Sequence, residues 1–310
     1  MVPNSAPKPL HSRLYFWRKR RVLIALLSVT ALSAGFWFSW PPVDRWPEID
    51  FLNRFGGGTL VIAGGGRLPP EIRQRFLALA GGPARARIVV IPAYQADATQ
   101  VASFRETWQS FGVTSVQVLQ SASREESNRA SFGASLDEAT GVWLSGGQQE
   151  RLSELYAGTL VEEKLRAVLD RGGVVGGSSA GAAAMTKVMI EQGSEEAVEG
   201  RGLDLFREAV IDQHFLRRSR LNRLIGLMAA HPQRIAFGID EGTALVVQVH
   251  KGRVGVIGSS YVMAYVPETD AGTRRFEILK DGDHIDLAGL KSGRTRVSSP
   301  AELESLLSDE

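Results

Sequence analysis

The sequence predicts an α/β protein: a mostly parallel sheet sandwiched by helices, preceded by one N-terminal transmembrane helix. Three observations carry this expectation. Short, continuously apolar runs such as Thr59-Leu60-Val61-Ile62-Ala63 read as strands buried on both faces. Such runs alternate with stretches of helical spacing, which implies right-handed crossovers and parallel pairing. Residues 22–40 carry no charge and follow Arg18-Lys19-Arg20-Arg21; as a helix they would span roughly 28 Å, about the thickness of hydrocarbon.

Composition sets the class. Of 310 residues 44% are hydrophobic and 23% charged, as in ordinary globular chains. Cysteine is absent, which excludes disulfides, thiolate metal sites and a cysteine nucleophile. The formal charge of +2 conceals an asymmetry: six of the 36 Lys/Arg lie in residues 1–40, which hold no acid, so the remaining 30 face 34 acidic residues, a net of −4. A nucleic-acid partner is therefore not expected.

In order, residues 1–21 read as a basic cytoplasmic tail and residues 22–40 as the anchor. Trp37, Phe38 and Trp40 form an aromatic belt at its far end, and the basic cluster orients the remainder away from the cytoplasm. The expected location is the cytoplasmic membrane, single-pass, with the catalytic domain on the periplasmic or extracytoplasmic side. A signal peptide cut near Ala31-Leu32-Ser33 competes with this reading. Pro41-Pro42 ends the helix, residues 41–57 form a linker, and residues 58–310 form the α/β domain.

Within that domain the pattern predicts strands at 59–63, 86–91 (ended by Pro92), 115–119 and 141–145, with helices at 70–80 and 98–111 and one long helix at 149–170. Residues 191–200, acidic with Gly and Ser, read as a loop. A strand at 209–211, a helix at 217–230, a strand at 235–239, a hairpin of 244–249 with 253–257, and a last helix near 300–308 complete the reading. Glycine loops at 64–66, 146–147 and 176–177 fall at strand ends, where sites of α/β folds lie, and are expected to share one rim. Gly64-Gly65-Gly66 is not a dinucleotide fingerprint, because position 69 is proline.

Residues 173–185 hold the chemistry. β-Branched residues lead into Gly177-Ser178-Ser179-Ala180-Gly181, then a run of small helix formers. This is the G-x-S-x-G spacing of a nucleophile elbow, with Ser179 at its centre and Ser178 a turn hydroxyl. The glycines allow strand and helix to approach, and the helix start directs N–H groups at the serine. The same spacing also arises in glycine-rich turns that serve packing alone. A serine nucleophile needs a base and an orienting acid. His214 lies at a strand end on the expected rim, whereas His231, His250 and His284 read as cap or surface residues. Glu241 is the candidate acid, with Asp212 and Asp240 as rivals.

Gly177–Gly181, then Asp212-Gln213-His214-Phe215, then Arg218, Arg220 and Arg223, then Gly238-Ile239-Asp240-Glu241-Gly242-Thr243-Ala244 together resemble the cyanophycinase family of serine peptidases. That family is related to α-aspartyl dipeptidases and has a glutamine-amidotransferase-like α/β sandwich. Gly146-Gly147-Gln148-Gln149 resembles its Gly-Gly-x-Gln loop, and the likeness covers most of residues 58–265. The resemblance implies Ser179 as nucleophile, His214 as base and Glu241 as its partner. It implies a pocket lined by Gln149, Asp212, Gln213, Arg218, Arg220 and Arg223, with Asp212 open to a substrate guanidinium and arginine forks suited to carboxylates. Arg217 is expected on a solvated face. The oxyanion is expected at the N–H of Ala180 with one from the Gly64–Gly66 loop, taken as Gly65.

The implied substrate is an aspartyl peptide, of the β-aspartyl-arginine, cyanophycin-like kind, cleaved through an acyl-enzyme without cofactor or metal. Small-amide hydrolysis and non-catalytic binding of acidic peptides are the alternatives. The partners expected are that peptide or polymer and the inner membrane, and a homodimer is admitted as the assembly.

Overall fold

The computed structural model describes residues 57–266 and 275–291. The segments expected as basic tail, anchor and linker up to residue 56, and as a helix near 300–308, lie outside the described residues. Among the described residues no helix is long and apolar enough to cross a membrane.

The first sheet has eight strands. Its parallel part is β1 (Thr59–Ala63), β2 (Arg87–Ala93), β3 (Ser115–Val118), β4 (Gly141–Gly147) and β5 (Val174–Ser178). They lie in the order β1-β5-β4-β2-β3 and are joined through helices, as the alternating pattern predicts. β10 (Thr243–Gln248) and β11 (Arg253–Gly258) form the expected hairpin and extend the sheet antiparallel from β1. β14 (His284–Asp286) closes that edge. A second sheet, not foreseen as separate, holds β8 (Ala209–Gln213) parallel to β9 (Ile235–Ile239). It continues antiparallel into β12 (Val262–Val266) and β13 (Arg275–Leu279).

The helices are α1 (Pro70–Leu79), α2 (Ala98–Gln109), the short α3 (Arg124–Ser127) and α4 (Ala134–Asp137), then α5 (Gln149–Tyr156) and α6 (Leu160–Asp170). After β5 come α7 (Ala180–Ala183), α8 (Leu221–Ala230) and α9 (Leu287–Lys291). The single helix expected at 149–170 is broken, because Gly158 takes φ 69° and Thr159 opens the second segment. Pro92 does not end β2. The strand passes through it with a register shift against β4, which absorbs the missing N–H. Of residues 191–200 only 193–197 form a loop: β6 (Val188–Gln192) and β7 (Val198–Arg201) flank it and pair antiparallel. The helix expected from 217 starts at Leu221, since residues 216–220 are used in a tight turn.

One core explains the placement of the site. α7 packs against β4 and β5 of the first sheet and β8 of the second. Ala180, Gly181, Ala182 and Ala183 are all buried, so only small residues fit between the sheets. On the other face of β5, Phe76, Trp108 and Trp143 meet with ring centroids 5.1–5.5 Å apart. A Cβ on Gly176 would lie 2.6 Å from the Trp143 ring. Gly176 and Gly177 therefore sit inside the strand, one for each face, rather than in a loop.

Candidate active site

β5 turns directly into α7, and Ser179 occupies the turn at φ 53° and ψ −113°, a region that non-glycine residues seldom adopt. Its N–H donates to the Ala63 carbonyl at 3.0 Å, which ties the elbow to the end of β1. Both motif glycines are demanded by close approach. A Cβ on Gly177 would fall 2.9 Å from the Gly181 carbonyl, and one on Gly181 would fall 2.2 Å from the Leu144 oxygen.

His214 follows β8 directly, also in the left-handed region at φ 50°. Its N–H donates to the Gly64 carbonyl at 2.8 Å, and the Phe215 N–H to Ile239 at 3.2 Å. Phe215 lies over Gly238, where a Cβ would come within 2.5 Å of its ring. So held, His214 brings Nε2 to 2.8 Å from Ser179 Oγ and Nδ1 to 2.5 Å from Glu241 Oε1. An ionised carboxylate only accepts, so Nδ1 carries the proton and Nε2 is left free to accept one from Ser179. Glu241 is the second residue after β9, next to Gly242, whose N–H donates to the Gly65 carbonyl at 3.0 Å.

The three glycines after β1 fit around this pair. A Cβ on Gly65 would lie 2.4 Å from His214 Cε1, and one on Gly66 would lie 2.6 Å from Glu241 Oε2. Gly65 thus abuts the imidazole. Ala180 is the first residue of α7, buried behind Ser179. Burial pushes the His214 pKa below its ordinary value; the hydrogen bond to Glu241 opposes this, and the Arg218 and Arg220 charges add to the depression. The imidazole is therefore neutral at pH 7, the form a base requires.

The rival acids are occupied elsewhere. Asp240 accepts from the Arg217 N–H at 3.0 Å and from Ser260 Oγ at 2.8 Å. Asp212 is fully buried: Arg223 Nε reaches its Oδ2 at 2.8 Å, Arg223 Nη2 bonds its Oδ1, and Arg220 Nη1 lies 3.4 Å away. Asp212 is therefore not open to a substrate guanidinium, because two arginines of the chain already saturate it. Gln213 and Arg220 are buried too, with Arg220 Nη1 bonded to Gln213 Oε1 at 2.9 Å and to the Gln213 carbonyl at 2.6 Å. Burial lowers the Arg220 pKa to about 10, and it remains a cation at neutral pH. One carboxylate against two guanidinium groups leaves a surplus positive charge beneath the site. Arg218 is exposed, as is Arg217.

Gln149 is half-buried, its Nε2 donating to Glu191 at 2.5 Å. The other described histidines stay apart: His231 pairs with Glu199 at 2.7 Å, His284 Nδ1 lies 2.9 Å from the Gly282 carbonyl, and His250 is exposed. Gly146, placed on the shared rim by its glycine loop but given no role of its own, lies at the elbow. A Cβ there would lie 3.6 Å from Ser179 Cβ, so the end of β4 also abuts the elbow. Ser145 Oγ, accepting from the Ala93 N–H at 3.0 Å, and the Gln148 N–H, donating to the Ala93 carbonyl at 2.9 Å, brace that end against β2.

Hydroxyl, imidazole and carboxylate thus stand in one chain of contacts, Ser179 to His214 to Glu241. The profile of peptidase family S51 matches residues 60–255, a span containing every candidate named above. The chain belongs to peptidase family S51. The cyanophycinase of Trichormus variabilis is 35% identical over 207 residues, covering 64% of this chain and 68% of that protein. The cyanophycinase of Synechococcus elongatus is 32% identical over 309 residues, covering 84% and 95%. A solved peptidase from an acI-B1 Actinobacterium shares the fold, with a TM-score of 0.58 at 20% identity over 76% of this chain and 99% of that one. As an S51 member the chain is a cyanophycinase-like, serine-type exopeptidase.

Proposed function

We propose that this chain hydrolyses aspartyl peptide bonds of a cyanophycin-like substrate, one built of β-aspartyl-arginine units, with Ser179 as nucleophile, His214 as general base and acid, and Glu241 as its orienting partner. The observation that carries the reading is the pair of contacts at His214, 2.8 Å to Ser179 and 2.5 Å to Glu241. In the first step Ser179 Oγ attacks the aspartyl carbonyl as its proton passes to His214 Nε2. The tetrahedral intermediate collapses, the C–N bond breaks, and the imidazolium returns that proton to the leaving amine. Water, deprotonated by the same imidazole, then hydrolyses the acyl-enzyme and frees Ser179.

The oxyanion is assigned to the backbone N–H of Ala180, at the start of α7, with a second donor from the glycine loops at Gly65 or Gly146. Substrate preference follows charge. Arg218 at the surface and the surplus positive charge of Arg220 and Arg223 around Asp212 favour a peptide carrying a free carboxylate. The names of the cyanophycinase relatives support the arginine-bearing polymer as the substrate class.

We also propose that residues 22–40 anchor the catalytic domain, residues 58–310, outside the cytoplasmic membrane. The uncharged run and the basic residues before it support this. The test of the chemistry is Ser179→Ala, assayed with a cyanophycin-like oligomer and with aspartyl dipeptides. Release of β-aspartyl-arginine is expected to fall by at least about 10³-fold; undiminished hydrolysis would remove Ser179 from the mechanism.

A further inference from the structure

The hairpin formed by β6 and β7 is fastened at the site by side chains that the family resemblance assigns to substrate. β6 packs against β8 and against α7, the short helix behind Ser179. From one side, Gln149 at the start of α5 gives Nε2 to the carbonyls of Glu191, at 2.5 Å, and Ile190, at 3.4 Å. From the other side Arg223 of α8, with Nε and Nη2 on Asp212, gives Nη1 to the carbonyl of Gly193. Two further ties hold the hairpin's far strand: Ser153 Oγ donates to the Arg201 carbonyl, and Glu199 meets His231. The connection between the strands, residues 193–197, is mostly exposed.

Gln149 Nε2 and Arg223 Nη1 therefore point at main-chain carbonyls of the hairpin, and the other two nitrogens of the Arg223 fork at Asp212, rather than into open space. Arg223 is also almost wholly buried, at 3% exposure. A group whose donors are already satisfied gains little by touching a ligand.

We propose that Gln149 and Arg223 are positioning residues that act on substrate binding through the β6–β7 hairpin, which walls the pocket beside the nucleophile. This rests on the peptidase reading above but assigns those two residues a different task. The Arg223 fork links the hairpin to Asp212, two residues before His214, and Gln149 links it to the loop that follows Gly146 and Gly147. The hairpin thereby spans from the β4 end to the β8 end, the two ends that bring Gly146 and His214 to Ser179.

The test is a double-mutant cycle. One variant is Gln149→Met, which keeps side-chain volume and removes the donor. The other replaces residues 193–197 with Asn-Gly between the paired Gln192 and Val198, a length suited to a tight hairpin. With a β-aspartyl-arginine oligomer as substrate, each variant alone is expected to raise KM about tenfold while kcat changes less than about threefold. Combined, they are expected to raise KM little further, because the substitution then has no wall left to misplace. Multiplicative effects, near about 100-fold together, would mean that Gln149 touches substrate directly and would overturn the proposal. Amide hydrogen exchange at residues 190–200 needs no substrate. It is expected to speed up in Gln149→Met, and unchanged exchange overturns the fastening role whatever the wild-type protein hydrolyses. Loss of the peptidase reading would show separately, as a wild-type protein inert toward the oligomer.

Discussion

His214 must stay neutral while it lies between a carboxylate and two guanidinium groups, and the balance is set by residues within a few positions of it. Burial and the Arg218 and Arg220 charges disfavour the imidazolium, against the pull of Glu241. The acid limb of kcat/KM is expected below the ordinary imidazole value of about 6.5. Removing a cation stabilises the protonated ring, so Arg218→Gln should move that limb to higher pH; a pH–rate profile checks the sign. The same depression makes the unfolded chain bind the proton first on acidification, so stability falls as pH drops from about 6.5 toward the lower folded value. Glu241→Gln leaves the site's shape but removes the charge that stabilises the imidazolium, and kcat should fall by about 10²–10⁴-fold.

At this scale much was legible. Ser179, His214 and Glu241 were marked by spacing and by strand ends, and each glycine of 64–66 is explained by contacts with Asp240, His214 and Glu241. Gly65→Ala, its Cβ 2.4 Å from the imidazole, should cost about 100-fold in kcat by displacing the ring. What was not legible was occupancy. Sequence names Asp212 as an acid near the base, but not that two arginines already bind it.

Elements show why. Asp212, Arg220 and Arg223 lock β8 to the start of α8, and the compact turn between them consumes the residues expected as helical. The Phe215, Leu216 and His214 carbonyls accept from Arg220, Ser219 and Arg218 within that turn. Asp212→Ala strands two buried cations and should destabilise the fold by about 3–5 kcal/mol in urea denaturation. It should harm activity in proportion to unfolding. The β6–β7 hairpin escaped the sequence because its connection is acidic and glycine-bearing, with little alternation over its short strands. The break at Gly158 escaped because helical spacing runs across it. The elbow helix is shorter than its alanines suggest, four residues, since Leu203, Leu205 and Phe206 turn back onto the carbonyls of Ala184 and Met185.

At the largest scale, α7 joins two sheets among the described residues, so that the first supplies Ser179 and the second His214 and the strand leading to Glu241. Alternating strands and helices announced the parallel part through β5. Nothing local announces that β8 and β9 leave that sheet, because two buried parallel strands look alike wherever they pair. The proposed anchor is a whole-molecule property. A chain lacking residues 1–40 should leave the membrane fraction with kcat/KM unchanged, as measured after cell fractionation. Catalysis turns on Ser179 being activated by His214. The most direct measurement of that activation is peptide mapping by mass spectrometry after reaction with a fluorophosphonate. We predict one adduct per chain, on Ser179, lost in His214→Ala; labelling at another residue, or undiminished labelling of Ser179 without His214, would contradict it.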